Sequence, residues 1–350
     1  MQYVWTYSLN SRIMKPTDFS KYISDFIIRY LPDERGASVN TITAYRDTFV
    51  LLLDFIEKEK LLKVEKLTLA KIKKETIIEF LDWIQKERKC SDSTRNMRLA
   101  AIHSFYRYLQ YENLDNLHEC QKVLSIRSKK TRKESITYLS IEGIRLLLQQ
   151  PDTTTTRGRR DLALLSLTYD TGARVQEIID LTPSRLRLGK PPVIKIIGKG
   201  NRVRLVPMLD AQIIHLKNYM EEHRLDQPTA NIHPLFFNSR KEKFTRAGIN
   251  HILHKYMDMA RKADNTLIPD KASCHSFRHS KAMHLLQAGV NLVYIRDILG
   301  HVSVQTTEIY ARADSRQKRK ALENAYVDIN PDEEPVWTKN ENLISWLKRF

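Results

Sequence analysis

Four polar side chains near the end of the chain have the types and spacing to act on a phosphodiester. His275 and Arg278 lie three residues apart, His301 follows later, and Tyr310 lies nine residues beyond His301. A tyrosine hydroxyl, with a pKa near ~10, is a poor nucleophile at neutral pH unless cations and an acid or base assist it. Arginines and histidines can provide both in phosphoryl transfer. Each residue alone is usually a packing or hydrogen-bonding group, so the hypothesis depends on the set.

The spacing of apolar residues predicts three short helices that position these side chains. We expect a helix from about Phe277 that is stopped by Gly289, a second from Leu292 that is stopped by Gly300, and a third from Ser303. Helix ends present backbone N–H groups and cations to an anion. The polar side chains collect at these ends, which favours a phosphate site.

The motifs in this region resemble those of the tyrosine recombinases, the phage integrase and Xer family. The chain has H-S-F-R-H, then L-G-H, then a tyrosine nine residues later. The family also has an arginine in a G-x-R-x-x-E segment and a lysine in a β-hairpin turn. TGARVQEI contains Arg174 and Glu177, and VIKIIGKGNRVRLVP contains Lys199. These matches occur in the family's order.

The resemblance implies a catalytic role for each matched residue. The predicted catalytic set is Arg174, Lys199, His275, Arg278, His301 and Tyr310, with Glu177 in support. Tyr310 would form a 3′-phosphotyrosyl bond, and Lys199 would protonate the leaving 5′ oxygen. Arg174, Arg278 and His301 would stabilise the phosphorane, and His275 would act as an acid, a base or an orienting group. The blander alternatives are a structural Arg–Glu pair and a turn lysine that only aids solubility.

The sequence does not predict a cofactor. His275, His279 and His284 lie near Cys274, but the region lacks an H-E-x-x-H motif or a third ligand at a convincing spacing. GKGNR lacks the glycine spacing and the Ser or Thr of a phosphate-binding loop. We therefore expect neither a metal nor a nucleotide, as the resemblance also implies.

The composition indicates a soluble nucleic-acid-binding protein of about two domains. The 350 residues contain 58 Lys and Arg against 41 Asp and Glu, a net charge of +17, and the pI is about 9.6. A basic membrane-surface protein is the alternative, but we find no apolar run of the ~18 residues needed to span a bilayer and no signal peptide. Three scattered cysteines, Cys90, Cys120 and Cys274, fit a reducing compartment. We expect a cytoplasmic, nucleoid-associated protein without membrane partners.

The predicted fold class is mainly α with a small antiparallel β-sheet. The predicted parts are a leader (1–16), an N-terminal helical core-binding (SAM-like) domain (17–125), a basic linker (126–136), a catalytic domain (137–325) and a tail with a short helix (326–350). The first domain is expected to hold four amphipathic helices, FSKYISDFIIRYL, SVNTITAYRDTFVLLLDFIEKE, KETIIEFLDWIQKER and SDSTRNMRLAAIHSFYRYLQYE, the last capped by Ser91 or Ser93.

The catalytic domain is expected to be organised around one buried helix. TYLSIEGIRLLLQQ predicts a first helix capped by Ser140, and TTTTRGRRD predicts a polar loop. DLALLSLTYDTG is apolar nearly all round and predicts the central helix, ended by Gly172. SRLRLG, PPVIKIIG and NRVRLVP predict three short strands, the last two joined by the turn with Lys199.

Three segments supply candidate DNA contacts. The candidates are Ser93, Thr94, Arg95, Asn96 and Arg98 at the helix that resembles the family's groove-entering helix, Lys129, Lys130, Arg132 and Lys133 in the linker, and Lys241, Lys243 and Arg246 further on. A solvated polar surface is the alternative. Basic residues in a linker between DNA-binding domains would contribute salt-dependent affinity.

The resemblance implies duplex DNA with inverted-repeat core sites as the partner, bound by a dimer on one site and a tetramer in synapsis. The resemblance leaves two biological roles open, which are the integration or excision of a mobile element and Xer-like resolution. A type IB topoisomerase and a non-catalytic DNA-binding regulator are the rival functions, and the L-G-H-x8-Y spacing and the intact set argue against them.

In the tail, Leu343, Ile344, Leu347 and Phe350 repeat at helical spacing around Trp346. This helix is expected to pack on a neighbouring protomer, and the alternative is packing on its own domain.

Overall fold

A computed structural model of the chain describes residues 15–131, 136–313, 345, 347 and 348. It divides into two compact units, residues 1–133 and 134–350. Most of the predicted leader, Arg132 and Lys133, and nearly all of the predicted tail helix lie outside the described residues. The predicted domain boundaries therefore stay predictions. The predicted fold class, mainly α with a small antiparallel sheet, is confirmed.

The first unit is a helical bundle around an aromatic core. Its helices are α1 (Asp18–Asp25), continued by a π-helical segment (Phe26–Glu34), α2 (Val39–Glu59), α3 (Lys74–Lys86), α4 (Asp92–Glu112) and α5 (Leu117–Leu124). Phe26 is fully buried, and its ring meets those of Phe49 and Phe105 edge to face. Ser91 caps α4 by accepting a hydrogen bond from the backbone N–H of Thr94, as predicted for one of two serines.

Two features of this bundle were not predicted. The first predicted helix continues as a π-helix through Pro32, where wider turns tolerate a residue that cannot donate a backbone hydrogen bond. The helix α5 buries only Cys120 and Val123 among its eight residues, so its apolar pattern is too sparse to detect.

The second unit surrounds a buried helix. Its helices are α6 (Ile141–Leu148), α7 (Thr156–Thr171), α8 (Val175–Ile179), α9 (Asp210–Glu222), α10 (Arg246–Ala263), α11 (Cys274–Gln287), α12 (Leu292–Leu299) and α13 (Gln305–Ala313). Residues 162–168 of α7 are all buried, which confirms the predicted central helix. Ser140 caps α6 and Gly172 ends α7 in the left-handed conformation, both as predicted.

The prediction of a polar loop at TTTTRGRRD was wrong. Thr155 caps α7 by accepting from the backbone N–H of Gly158, so the polar residues that follow already form the first turns of the helix. Gly158 lies so close to the backbone of Asp152 that an added Cβ would stand 1.9 Å from its carbonyl oxygen. A polar composition at this point marks a capped helix start, not a loop.

The sheet of this unit has three antiparallel strands in the order β1 (Leu186–Arg187), β2 (Val193–Ile197) and β3 (Val203–Pro207). Ile194 pairs with Val206, and both are buried against the core. Alternation along β3 places Arg204 on the same side as Val206. The turn at Lys199–Asn201 joins β2 to β3, as predicted.

The last three helices form a second, smaller core. Its fully buried members include Met283, Ile295, Leu299 and Tyr310. The helix α11 starts three residues earlier than predicted, and α13 starts at Gln305, two residues later. The helix α12 spans the predicted residues. Within the described residues, no helix is both long and apolar enough to cross a membrane.

Candidate active site

Arg174 is the N-cap residue of α8 and is fixed by Glu177. Its backbone N–H donates to Glu177 Oε2 at 2.9 Å, and its Nη1 donates to Oε1 at 3.0 Å. The Glu177 side chain is 5% exposed, whereas that of Arg174 is 36% exposed. The guanidinium therefore faces solvent while its anchor is buried.

Arg204 is a second partner of Glu177 that was not predicted. Its Nη2 donates to Glu177 Oε2 at 2.6 Å, and its Nε donates to the carbonyl of Ile298 at 2.9 Å. Burial alone would raise the pKa of Glu177, but the hydrogen bond and charge of Arg204, with the hydrogen bonds from Arg174, hold that pKa below its ordinary value. Arg204 thus links β3 to α8 and to the end of α12.

Arg278 is held by two backbone carbonyls at helix ends. Its Nη1 donates to the carbonyl of Gly172 at 2.8 Å and its Nη2 to that of Leu299 at 2.6 Å. The side chain is buried, and burial, with the positive charges of Arg174 and Arg204 nearby, lowers its pKa to about 10. It therefore stays cationic at neutral pH without a carboxylate partner among the described residues.

Two of the predicted histidines are neutral at neutral pH. Burial, followed by the charges of Arg278, Arg174 and Arg204, lowers the pKa of His301 to about 4. Its Nδ1 lies 2.9 Å from the hydroxyl of the buried Thr307. Partial burial and then Arg278 and Arg174 lower the pKa of His275, which lies at the exposed side of the site.

Tyr310 is only 1% exposed and its hydroxyl is hydrogen-bonded to His279. The distance from its Oη to His279 Nδ1 is 3.0 Å, and the His301 ring lies nearly parallel to the Tyr310 ring at 6.3 Å between centroids. Burial raises the pKa of Tyr310, and the charges of Arg278 and Arg174 partly offset that rise. The phenol therefore lies within the field of both arginines.

His279 was weighed in the sequence only as a metal ligand. The signal that could have found it is its position one helical turn after His275, next to Arg278. Among the described residues, no group of three His, Cys, Asp or Glu side chains could hold a metal ion.

Lys199 is exposed in the turn between β2 and β3. With Arg174, Arg204 and His301 it lines a cleft of about 670 Å3. Gly200 beside it has a φ of +72° and open space around its Cα. The structure thus brings the predicted catalytic residues Arg174, Lys199 and His301 to one cleft, while charge interactions link Arg174 to His275, Arg278 and Tyr310.

The predicted DNA contacts of α4 differ in their surroundings. Ser93 is exposed and Thr94 is half-buried, whereas Arg95 is 5% exposed with buried Nε and Nη1 atoms that lack partners among the described residues. Asn96 donates to the carbonyl of Lys129 at 2.8 Å and accepts from its N–H at 2.9 Å. Arg98 donates to the hydroxyl of Thr48 and the carbonyl of Ala44.

The remaining predicted contacts lie at the surface. Lys129 Nζ donates to Gln85 Oε1 at 2.6 Å, and Lys130 is exposed. Lys243 pairs with Asp180 and Arg246 with Gln176, and Lys241 is exposed. A DNA-binding role for all of these residues stays a prediction.

Two family models match the chain. The model of the phage integrase family matches residues 137–317, and that of the phage integrase N-terminal SAM-like domain matches residues 25–113. A putative integrase/recombinase y4rC of Sinorhizobium fredii is 35% identical over 334 residues, which cover 95% of this chain and 98% of the relative. Tyrosine recombinase XerD of Staphylococcus epidermidis is 31% identical over 298 residues, covering 84% and 94%.

Solved structures share the fold. The XerH site-specific recombinase bound to its difH substrate has a TM-score of 0.63 at 23% identity, covering 87% of this chain and 85% of that chain. The Tn1549 transposon integrase in complex with a circular intermediate DNA has a TM-score of 0.67 at 16% identity, covering 89% and 100%. Both likenesses show the fold.

Proposed function

This chain belongs to the phage integrase family of tyrosine recombinases, and from that membership we propose how its own residues carry out site-specific recombination. The enzyme cleaves and rejoins DNA strands through a phosphotyrosyl intermediate and a Holliday junction. We assign Tyr310 as the nucleophile. The observation that carries this assignment is the position of the Tyr310 phenol, which lies beside the His301 ring and close enough to Arg278 and Arg174 for their charges to lower its pKa against the effect of burial.

The geometry supports different roles for Arg174 and Arg278, which are held by hydrogen-bond partners, and for Lys199, which is exposed. Arg174 and Arg278 are anchored, so they can hold the oxygens of a phosphodiester with little reorganisation. As Tyr310 Oη bonds to phosphorus, the bond from phosphorus to the 5′ oxygen breaks, and Lys199 protonates that oxygen. The phosphotyrosyl bond retains the energy of the broken link, so a 5′ hydroxyl of another strand can reverse the step without a nucleotide.

We assign duplex DNA with inverted-repeat core sites as the substrate, bound by a dimer on one site and a tetramer in synapsis. The net charge of +17 and the exposed lysines Lys130 and Lys241 support a polyanionic partner. We infer that the predicted short helix of the tail packs on a neighbouring protomer. Its apolar spacing requires a partner surface.

A covalent-trapping experiment tests the nucleophile. A duplex is first recovered from a random-sequence pool by repeated binding to the Tyr310→Phe protein and is then nicked near its centre so that the cleaved end diffuses away. The wild-type chain should form a protein–DNA adduct that survives denaturation. Tyr310→Phe should bind the same duplex equally well and form none.

The same substrate tests the absence of metal chemistry. Cleavage by the wild-type chain should persist in EDTA, because Arg174, Arg278 and Lys199 supply the charge that a metal would otherwise supply. An adduct formed by Tyr310→Phe would contradict the assignment of Tyr310 as the nucleophile. Cleavage that is lost in EDTA and restored by Mg²⁺ would contradict the metal-free mechanism.

A further inference from the structure

One group outside the assigned catalytic set touches the reacting atom. His279 lies on α11, one turn after His275, and its Nδ1 lies 3.0 Å from Tyr310 Oη. The two ring centroids are 5.7 Å apart at an interplanar angle of 57°. His279 is half-buried and Tyr310 is buried, so this hydrogen bond is sheltered from solvent.

The attack by Tyr310 requires an acceptor for its proton. Burial raises the pKa of the phenol, so the hydroxyl is not ionised at neutral pH before it reacts. Two neighbouring groups already have hydrogen-bond partners: Arg278 is a cation that donates to two carbonyls, and His301 Nδ1 lies 2.9 Å from the Thr307 hydroxyl. Among the described residues, His279 Nδ1 is the hydrogen-bond partner of this hydroxyl.

The groups that face His279 keep it able to accept a proton. They are His275 and Arg278 on α11, Tyr310 on α13, and His301 in the segment after α12. Burial, then His275 and Arg278, lower the pKa of His279 below its ordinary value. At neutral pH the ring is therefore neutral, with one nitrogen free to accept.

We propose that His279 is the general base of the cleavage step. The proposal rests on the assignment of Tyr310 as the nucleophile. The Tyr310 proton moves to His279 Nδ1 as the Oη–P bond forms and the P–O5′ bond breaks, and the proton on the leaving oxygen comes from Lys199. In ligation the 5′ hydroxyl returns a proton to Lys199 and the departing Tyr310 recovers its own from His279. Protons and electron pairs therefore balance over the cycle.

The tautomer of His279 gives the first test. Acceptance at Nδ1 requires the ring proton to be on Nε2. The full chain, labelled with ¹⁵N at histidine, should show an unprotonated Nδ1 for the resonance that disappears in His279→Asn. A proton on Nδ1 would make His279 the donor to Tyr310 and would overturn the proposal without any measurement of activity.

The pH profile of cleavage gives the second test. The selected duplex is made with a 5′-bridging phosphorothiolate, whose sulfur leaves without an acid, so that the rate reports nucleophile activation. In His279→Asn the amide oxygen can still accept the hydrogen bond but cannot take the proton. We expect cleavage to slow by about 10²-fold at pH 7. We also expect the variant's rate to rise about tenfold per pH unit up to pH 9 with the tyrosinate fraction, while the wild-type rate stays flat.

The chain offers a matched control on the same helix. His284 is buried, and its Nδ1 lies 2.8 Å from the hydroxyl of Tyr169, which has no part in the reaction. His284→Asn should keep the wild-type profile. A His279→Asn protein with a flat profile, slowed or not, would reduce His279 to a structural partner and overturn the proposal. Absence of any adduct with the wild-type chain would instead contradict the assignment of Tyr310.

Discussion

The cations of the site differ in how firmly each is held. Arg174 and Arg278 each have fixed partners, whereas Lys199 is exposed in a turn beside Gly200, whose left-handed backbone has open space around it. A flexible ammonium suits delivery of a proton, and a fixed guanidinium suits stabilisation of developing charge. The structure therefore supports separate roles for the lysine and the arginines.

Replacement of this lysine should have an effect that depends on the leaving group. Lys199→Ala should slow cleavage of an ordinary duplex by about 10² or more, because the 5′ oxygen then leaves unprotonated. Cleavage of the 5′-phosphorothiolate duplex should be nearly unaffected. The measurement is the rate of adduct formation on both duplexes. Equal defects would move the acid role to another residue, such as His275 or Lys190.

The site residues could be predicted where a motif specifies them. They were harder to predict where their position in the site depends only on packing. The motifs located Arg174 and Tyr310, but not the burial of Tyr310, which depends on the packing of three helices. Arg204 could have been found from strand alternation, because it lies two residues before the buried Val206. The position of His279 one turn after His275 was a signal in the sequence, but its contact with Tyr310 depends on how α11 packs against α13.

The end of α12 is closely packed against Arg204 of β3. Gly300 has a φ of +66°, and an added Cβ would lie 2.9 Å from Cδ of Arg204. Arg204 in turn bonds Ile298 and Glu177. The glycine therefore ends the helix and also leaves room for the arginine that connects three elements of the site.

A pair of glycine substitutions separates these two effects. Gly289 also has a positive φ, +83°, but an added Cβ would meet nothing within 4 Å. Both Gly300→Ala and Gly289→Ala should lose about 1 kcal/mol of stability in denaturant unfolding, from the left-handed backbone. Only Gly300→Ala should also slow cleavage, since it displaces Arg204. Similar cleavage rates for the two folded variants would show that the space beside Gly300 does not matter to the site.

Elements with strong end signals were predicted well and those without them were not. Ser140, Gly172 and Gly300 marked true boundaries because caps act locally. The start of α7 was misread, since a capped helix can begin with polar residues. The helix α5 was missed because two buried side chains do not produce a period.

For the whole molecule, the distribution of charge governs how it meets DNA. The positive balance of +17 is concentrated in part in the predicted linker, whose Lys129 is tied by its backbone to Asn96 of α4. This pairing holds Lys129, and Lys130 after it, beside the helix with the predicted groove contacts. The linker charge is thus a fixed feature of the first unit at this point.

Neutralising these two lysines should weaken binding without changing site preference. Lys129→Gln with Lys130→Gln should reduce the slope of log affinity against log salt by about one to two, because phosphate contacts release counterions. The measurement is fluorescence anisotropy on the selected duplex and on a scrambled one. The double substitution of Lys63 and Lys66, exposed in the same unit, is the control. An equal slope change in both double variants would assign the effect to net charge alone.

The arginine cluster has a consequence for the resting enzyme. The charges of Arg174 and Arg204 lie close enough to Arg278 to lower its pKa, while Glu177 forms ion pairs with Arg174 and Arg204 and not with Arg278 among the described residues. Without a bound anion, repulsion between the positive charges therefore destabilises the folded chain, and a bound oxyanion reduces that repulsion. Sulfate should raise the melting temperature of the wild-type chain more than chloride does at equal ionic strength. The difference between the two salts should be smaller in Arg174→Gln, and this variant controls for general salt effects. Under laboratory selection for heat resistance without DNA, substitutions that remove one of these arginines should then appear early, because they increase stability at the expense of catalysis.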